Sequence, residues 1–212
     1  MRMNRGAAIS IAAAVALACC AADAAAMKHR ERSPWMANVG IGVNRGRFED
    51  VDEAMREYSN GAAPQIRFGR MLGKRLMVSA NYQGWVVEFD RIGDTKITDA
   101  KIRRSLQDLT LGLTFFPGNS DSWTGGFFMR GGGGIGWAGT SAVPVHEGEA
   151  QEHGERRDDW GTAWFGEAGY EFWISDSSTL GLLGNYTYFD IGGDIVTSAW
   201  TGGLSVNLSL YF

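Results

Sequence analysis

The sequence predicts an all-β fold, a closed antiparallel up-and-down transmembrane β-barrel of eight strands. Three observations support this prediction: a secretion segment at the N-terminus, apolar and polar residues alternating in segments about ten residues long, and connections that are short at one end and long at the other. A soluble β-sandwich also shows the alternation, but it explains neither the unequal connections nor the placement of the aromatic residues. Beyond the first 26 residues, no segment approaches the roughly 20 apolar residues of a membrane helix.

The N-terminal segment has the three parts of a signal peptide. Two arginines precede an apolar run over residues 7–18, and residues 24–26 are three alanines, which is an A-x-A cleavage pattern. We therefore expect a signal peptide at residues 1–26 and an outer-membrane β-barrel domain at residues 27–212.

The cysteines and the charge balance of the mature chain follow from this cleavage. Cys19 and Cys20 lie in the segment to be removed, so the mature chain has neither a thiol nor a disulfide. A lipoprotein acylated at Cys19 is the alternative. Ala16 disfavours it, because such sites usually carry a large aliphatic residue three positions before the cysteine. Cleavage removes two of the 20 basic and one of the 24 acidic residues, leaving a net charge of −5. This balance gives no indication of a nucleic-acid partner.

Eight segments place apolar side chains on an outward face and small or polar side chains on an inward face. The outward residues of the first four are Trp35, Ala37, Val39, Ile41 and Val43; Ile66, Phe68 and Leu72; Leu76, Val78, Ala80, Tyr82 and Val86; and Leu109, Leu111, Leu113 and Phe115. Those of the last four are Phe127, Met129, Ile135 and Trp137; Trp164, Ala168, Tyr170, Phe172 and Ile174; Leu180, Leu182, Tyr186 and Tyr188; and Leu204, Val206, Leu208, Leu210 and Phe212. Trp85 and Val87 interrupt the third pattern, which predicts a β-bulge there.

The connections and the aromatic residues predict how the barrel sits in a membrane. Short turns on one side and long charged loops on the other are typical of membrane barrels, with the long loops facing the cell exterior. The short turns are residues 73–75, 117–122 and 175–178; the long loops are residues 45–62, 88–103 and 139–159; and residues 190–194 are a short connection on the long side. Two aromatic girdles are expected at the membrane interfaces. One comprises Trp35, Phe115, Phe116, Trp123, Trp173, Tyr211 and Phe212, and the other Trp137, Trp160, Trp164, Tyr188 and Trp200.

The last ten residues alternate apolar and polar side chains and end in phenylalanine, which resembles the β-signal of outer-membrane proteins. Residues 127–137 and 166–172 likewise resemble strands of the OmpA-type transmembrane barrel superfamily, and the resemblance covers nearly all of residues 33–212. It implies a bacterial outer-membrane location and recognition of the last strand by the barrel-assembly machinery. The implied assembly signal comprises Gly203, Leu208, Leu210 and Phe212. The resemblance selects no activity, because this superfamily includes structural anchors, adhesins and a few lipid-modifying enzymes.

Charged residues on the inward face are the candidate site. They are Arg67, Asp108, Arg130, Glu167 and Glu171. An eight-stranded barrel is just wide enough for its own side chains to fill, so we expect a salt-bridged interior network rather than a wide pore. A gated ion path through the same charges is the alternative.

Neither a metal site nor a catalytic site is expected. The acidic loop at residues 143–159 contains His146 and His153, but their spacing matches no zinc motif. Lipid-A deacylases of this barrel class carry histidine and serine close together on a strand, whereas the mature histidines here, including His29, lie outside the predicted strands. We expect no cofactor.

The leading functional hypothesis is a non-enzymatic integral outer-membrane barrel with a side-chain-filled interior and a structural or surface-interaction role. A narrow porin-like channel for ions or small solutes is the second hypothesis, and a lipid-A-modifying enzyme is the third. The expected partners are outer-membrane lipid and lipopolysaccharide, the assembly machinery, and an extracellular ligand at the long loops.

Overall fold

The computed structural model describes residues 32–50, 58–89, 91–92, 95–96, 100–118, 123–144, 157–193 and 196–212, and these residues are mostly β-strand. The strands are β1 (Trp35–Asp50), β2 (Tyr58–Met71), β3 (Leu76–Phe89), β4 (Arg91–Ile92), β5 (Thr95–Lys96), β6 (Ala100–Phe115), β7 (Phe127–Pro144), β8 (Arg157–Trp173), β9 (Ser178–Asp190) and β10 (Val196–Tyr211). A 3₁₀ turn at Trp123–Gly126 precedes β7. Among the residues described, no helix has the length and apolar character needed to cross a membrane.

Eight of these strands close into one barrel, which confirms the predicted fold class. Their order around the barrel is β1, β10, β9, β8, β7, β6, β3 and β2, and every neighbouring pair is antiparallel. The first and last strands meet, and two backbone hydrogen bonds between Trp35 and Phe212 close the seam at 3.1 and 3.0 Å. The short strands β4 and β5 form a separate two-stranded sheet. Closure leaves no unpaired strand edge around the wall.

The wall has the predicted alternation, with apolar residues facing outward. On β1, Val43 is 70% exposed whereas its chain neighbour Asn44 is 0% exposed. Leu111 on β6 and Leu204 on β10 are likewise exposed, whereas the inward Thr114 and Ser205 are buried. An apolar surface of this extent is stable only against hydrocarbon, as expected for a barrel in a membrane.

The strands extend further into the predicted loops than the sequence indicated. The loop predicted at residues 45–62 begins and ends as strand, because β1 runs to Asp50 and β2 starts at Tyr58. The same correction applies at residues 88–103 and 139–159, where strands cover residues 88–89, 91–92, 95–96, 100–103, 139–144 and 157–159. β7 has 18 residues, whereas a tilted strand crosses a membrane in about 9–11. The barrel therefore rises beyond the membrane on the long-loop side.

The predicted β-bulge near Trp85 and Val87 is wrong. The ladder between β3 and β6 is continuous from Leu76 to Phe89, and both residues point inward and are buried. They appeared to break the pattern because the inward face was assumed to be polar throughout. A register shift lies instead between Glu49 and Asp50 on β1.

The aromatic girdle at the short-turn end is smaller than predicted. Trp35, Phe115 and Phe212 face outward as expected. Three other residues assigned to it are buried inside the barrel: Phe116, Trp173 and Tyr211. The side chain of Trp123 lies outside the described part. At the opposite end, Trp160 and Trp164 are about three-fifths exposed, as an interfacial girdle requires.

Candidate functional site: the barrel interior

The inside of the barrel is packed in three layers, with charged and polar residues between two apolar clusters. The long-connection cluster comprises Phe48, Ala63, Trp85, Val87, Leu106, Ala138, Ala163, Phe189, Ile191, Val196 and Ala199. The short-turn cluster comprises Met36, Met77, Phe116, Phe128, Trp173, Leu183 and Tyr211. The five charged residues predicted to face inward lie among these layers, each at most 7% exposed.

Three of these charged residues form a bar across the lumen, here called the transverse bar. Arg130 on β7 and Glu167 on β8 are direct ladder partners, and Arg130 Nη1 donates to Glu167 Oε2 at 2.6 Å. Arg67 on β2 donates through Nη2 to the same carboxylate at 2.8 and 3.1 Å. β2 and β8 stand four places apart in a ring of eight strands, so Arg67 reaches Glu167 from the opposite wall.

Polar neighbours fix both arginines of the transverse bar. Arg67 Nε donates to Asn81 Oδ1 at 2.7 Å, and Arg130 Nε donates to Thr114 Oγ1 at 2.7 Å. Gln65, whose Oε1 accepts from Arg67 at 3.4 Å, donates in turn to Asn207 Oδ1 at 2.7 Å. A buried ion pair is tolerated when its remaining donors and acceptors are hydrogen-bonded in this way. The transverse bar therefore has hydrogen-bond partners on several strands.

Glu171 belongs to a separate group near the short-turn end. Its Oε2 accepts a hydrogen bond from the Tyr211 hydroxyl at 2.8 Å and from Arg32 at 3.4 Å. Arg32 precedes β1, donates to the Gly125 carbonyl at 2.7 Å, and stacks on the Phe116 ring with its guanidinium carbon 3.7 Å from the ring centroid. Arg32 thus packs against the short-turn cluster from a position before the first strand. Nothing in the alternation could have predicted its position.

Asp108 faces inward but does not join the transverse bar. Its Oδ1 accepts from the Thr110 hydroxyl at 3.4 Å, and its Oδ2 has no hydrogen-bond partner among the described residues. Arg104, four residues earlier on β6, is also buried, with its guanidinium carbon 3.9 Å from the Phe48 ring centroid. The sequence reasoning missed Arg104, although the period-two alternation running back from Asp108 through Leu106 would have found it.

Inward glycines make room for large rings on the facing strands. A Cβ on Gly112 would lie 2.6 Å from Cζ of Phe165, and a Cβ on Gly136 would lie 2.7 Å from Cδ1 of Phe189. Real Cβ atoms do not approach so closely, so these positions require glycine unless the rings move. Gly112 on β6 and Gly136 on β7 are therefore the counterparts of the rings of Phe165 on β8 and Phe189 on β9.

The predicted assembly residues all lie on β10 or at its end. Leu208, Leu210 and Phe212 face outward at 39%, 48% and 61% exposure. A Cβ on Gly203 would lie 2.2 Å from the Val43 carbonyl oxygen of β1, so only glycine fits beside that strand. Recognition of these residues by the assembly machinery stays a prediction.

No metal-binding group of three or more His, Cys, Asp or Glu residues occurs in the part of the chain that the structure describes. His29, His146 and His153 lie outside the described residues.

Comparisons with known proteins agree with this geometry. A family model described as the outer membrane protein beta-barrel domain matches residues 11–212. The fold is similar to Neisserial surface protein A, at 14% identity and a TM-score of 0.53 over 84% of this chain and 97% of that one. It is also similar to Ail, the attachment invasion locus protein of Yersinia pestis, at 12% identity and a TM-score of 0.52 over 86% and 99%.

A second Ail structure, in complex with the heparin analogue sucrose octasulfate, matches at 14% identity and a TM-score of 0.50 over 82% of this chain and 99% of that one. The comparison with curated proteins gives no match. At these identities the structural likeness shows the fold alone.

Proposed function

The chain belongs to the outer membrane protein beta-barrel family, and we propose that it works there as a sealed, non-catalytic barrel with a structural or surface-interaction role. Membership of the family gives the outer-membrane location and the transmembrane barrel. The sealed lumen and the role are the proposal, and they rest on the packing of the interior.

The transverse bar is the observation that carries the proposal. It links opposite walls through Arg67, Glu167 and Arg130, whose side chains are 1–2% exposed. Apolar clusters close the lumen above and below it, with Trp85 and Phe48 at one end and Phe116 and Met77 at the other. A conducting path would need both clusters and the bar to move together, which favours a structural interior over the narrow channel.

The long-connection end supports a role in surface interaction. β7 and β8 have 18 and 17 residues, so several residues of each stand beyond the roughly ten that cross the membrane. The strands therefore carry the long connections away from the membrane surface on a rigid base. A rigid base of this kind suits loops that meet a partner outside the cell.

Planar-bilayer conductance tests whether the lumen is sealed. The refolded wild-type barrel should show no discrete openings after insertion, and its folded state is checked by the different migration of unheated and boiled samples. Arg103→Gln is the control, because Arg103 is an exposed residue on the outer wall of β6. Reproducible openings that disappear in Arg130→Gln but persist in Arg103→Gln would overturn the sealed lumen.

Mass spectrometry of lipid A from matched cells with and without the protein tests the absence of catalysis. The acyl pattern should be the same in both. A missing or added acyl chain that depends on the protein would make it a lipid-modifying enzyme and would contradict the proposal.

A further inference from the structure

An arginine on the outer wall stands where the apolar surface of the barrel ends. Arg45 points outward from β1 and is exposed, and no carboxylate among the described residues pairs with it. Its neighbour on the same face, Arg47, is paired with Glu49, with Arg47 Nε and Glu49 Oε1 3.0 Å apart. Within the described part of the chain, Arg45 therefore carries a positive charge with no paired carboxylate, and this charge faces whatever surrounds the barrel at this height.

The height of Arg45 is fixed by the ladder between β1 and β2. Trp35 pairs with Arg70 at the short-turn end, and Arg45 pairs with Asn60 ten positions further along β1. Ten residues at about 3.4 Å each, tilted by about 45°, rise about 24 Å, close to the roughly 25 Å apolar band of an outer-membrane barrel. The outward residues between them on β1 are Ala37, Val39, Ile41 and Val43. Arg70 and Arg45 thus mark the two headgroup levels on one face of the wall.

An aromatic group holds the Arg45 guanidinium in place. Its central carbon lies 4.7 Å from the centroid of the Tyr58 ring. Tyr58 packs edge-on against Trp200 at 5.8 Å, and Trp200 stacks on Tyr186 at 6.0 Å. A guanidinium that lies on a ring keeps its in-plane N–H groups free for a planar acceptor such as a phosphate. The contact thereby reduces the conformational freedom lost when an anion binds.

We propose that Arg45, seated on Tyr58, binds a phosphate group of lipid A, the phosphorylated and acylated disaccharide of the outer leaflet. Arginine binds phosphate through paired, charge-assisted hydrogen bonds, and the outward position at the upper edge of the wall faces that leaflet. The site rests on the outer-membrane location and is independent of whether the lumen is sealed.

Native mass spectrometry of the refolded full-length mature barrel in detergent, titrated with bisphosphorylated lipid A, tests the proposal. Arg45→Gln should weaken binding about fivefold, the effect of about one basic residue at a charged membrane surface, and Arg45→Lys should weaken it less. Chemically dephosphorylated lipid A should bind the wild type and Arg45→Gln equally. Arg70→Gln is the matched control, because it also removes an exposed arginine beside an aromatic ring but at the opposite headgroup level.

Three results would overturn the site. Equal affinity of Arg45→Gln and wild type for bisphosphorylated lipid A would show that Arg45 does not contribute to the site. An equal loss in Arg70→Gln would show charge attraction without a defined site, and displacement of lipid A by millimolar inorganic phosphate would show a general anion site. Because Arg45 is exposed, the heat-dependent migration of Arg45→Gln should match the wild type. Conductance tests the sealed lumen separately, so the two proposals can fail independently.

Discussion

Glu167→Gln removes the carboxylate that links Arg67 and Arg130 and leaves two buried guanidiniums facing each other. The three side chains are 1–2% exposed, so water does not replace the lost charge. Removing one partner of a buried ion pair costs about 3–5 kcal/mol, and we expect about 3 kcal/mol here because glutamine keeps the volume and one acceptor oxygen. The free energy of unfolding should fall by that amount.

Urea unfolding of the refolded barrel in lipid vesicles, followed by tryptophan fluorescence, measures the change. Glu88→Gln is the matched control, since Glu88 Oε1 and Arg103 Nη2 are also 2.6 Å apart but their side chains are 44% and 50% exposed. That variant should lose about 0.2–1 kcal/mol. If Glu167→Gln lost no more than Glu88→Gln, the lumen would be wet at the height of the transverse bar and the reasoning for a sealed barrel would fail.

Two further substitutions test the packing of the interior by the same unfolding measurement. Gly136→Ala places a Cβ 2.7 Å from Phe189 and should lower the free energy of unfolding by about 1–3 kcal/mol. Gly166→Ala is the control and should lower it little, because nothing lies within 4 Å of the added Cβ. Equal losses of stability in the two variants would show that the ring of Phe189 moves freely. Trp85→Ala leaves a cavity in the long-connection cluster and should lower the free energy of unfolding by about 3–5 kcal/mol. Trp160→Ala, on the outer wall, should lower it clearly less. The reverse order would contradict a packed cluster.

The alternation of apolar and polar residues was enough to predict the fold and the direction in which most wall residues point. It worked for residues such as Val43 and Leu111 because the outer face contacts hydrocarbon and accepts few exceptions. It failed for Trp85 and Val87, which are apolar and inward, because a packed barrel interior accepts apolar residues as readily as polar ones. It also set the strand ends too early, since the extramembrane parts of β1 and β7 are no longer under selection for an apolar outer face.

The composition of the interior was partly predictable, but its pairing was not. Alternation assigns Arg67, Asp108 and Glu167 to the inside, yet it does not give their heights, which depend on the register of every ladder between them. Glu171 and Glu167 therefore look equivalent in the sequence, although one meets Tyr211 and the other spans the lumen. The position of Arg32 depends on a segment outside the strands, where no periodic signal exists.

Register gives a physical reason for charges inside the barrel that does not depend on conduction. A slip of one residue would turn an apolar face inward and is strongly disfavoured, but a slip of two residues keeps every face and is not opposed by alternation. A two-residue slip of β8 along β7 would set Arg130 opposite Phe165 or Gly169 in place of Glu167. It would also move Phe165 away from the space that Gly112 leaves for it. The transverse bar and the glycine–ring pair therefore favour one register among those that the apolar pattern alone would accept, which is the best-attested role of buried polar groups.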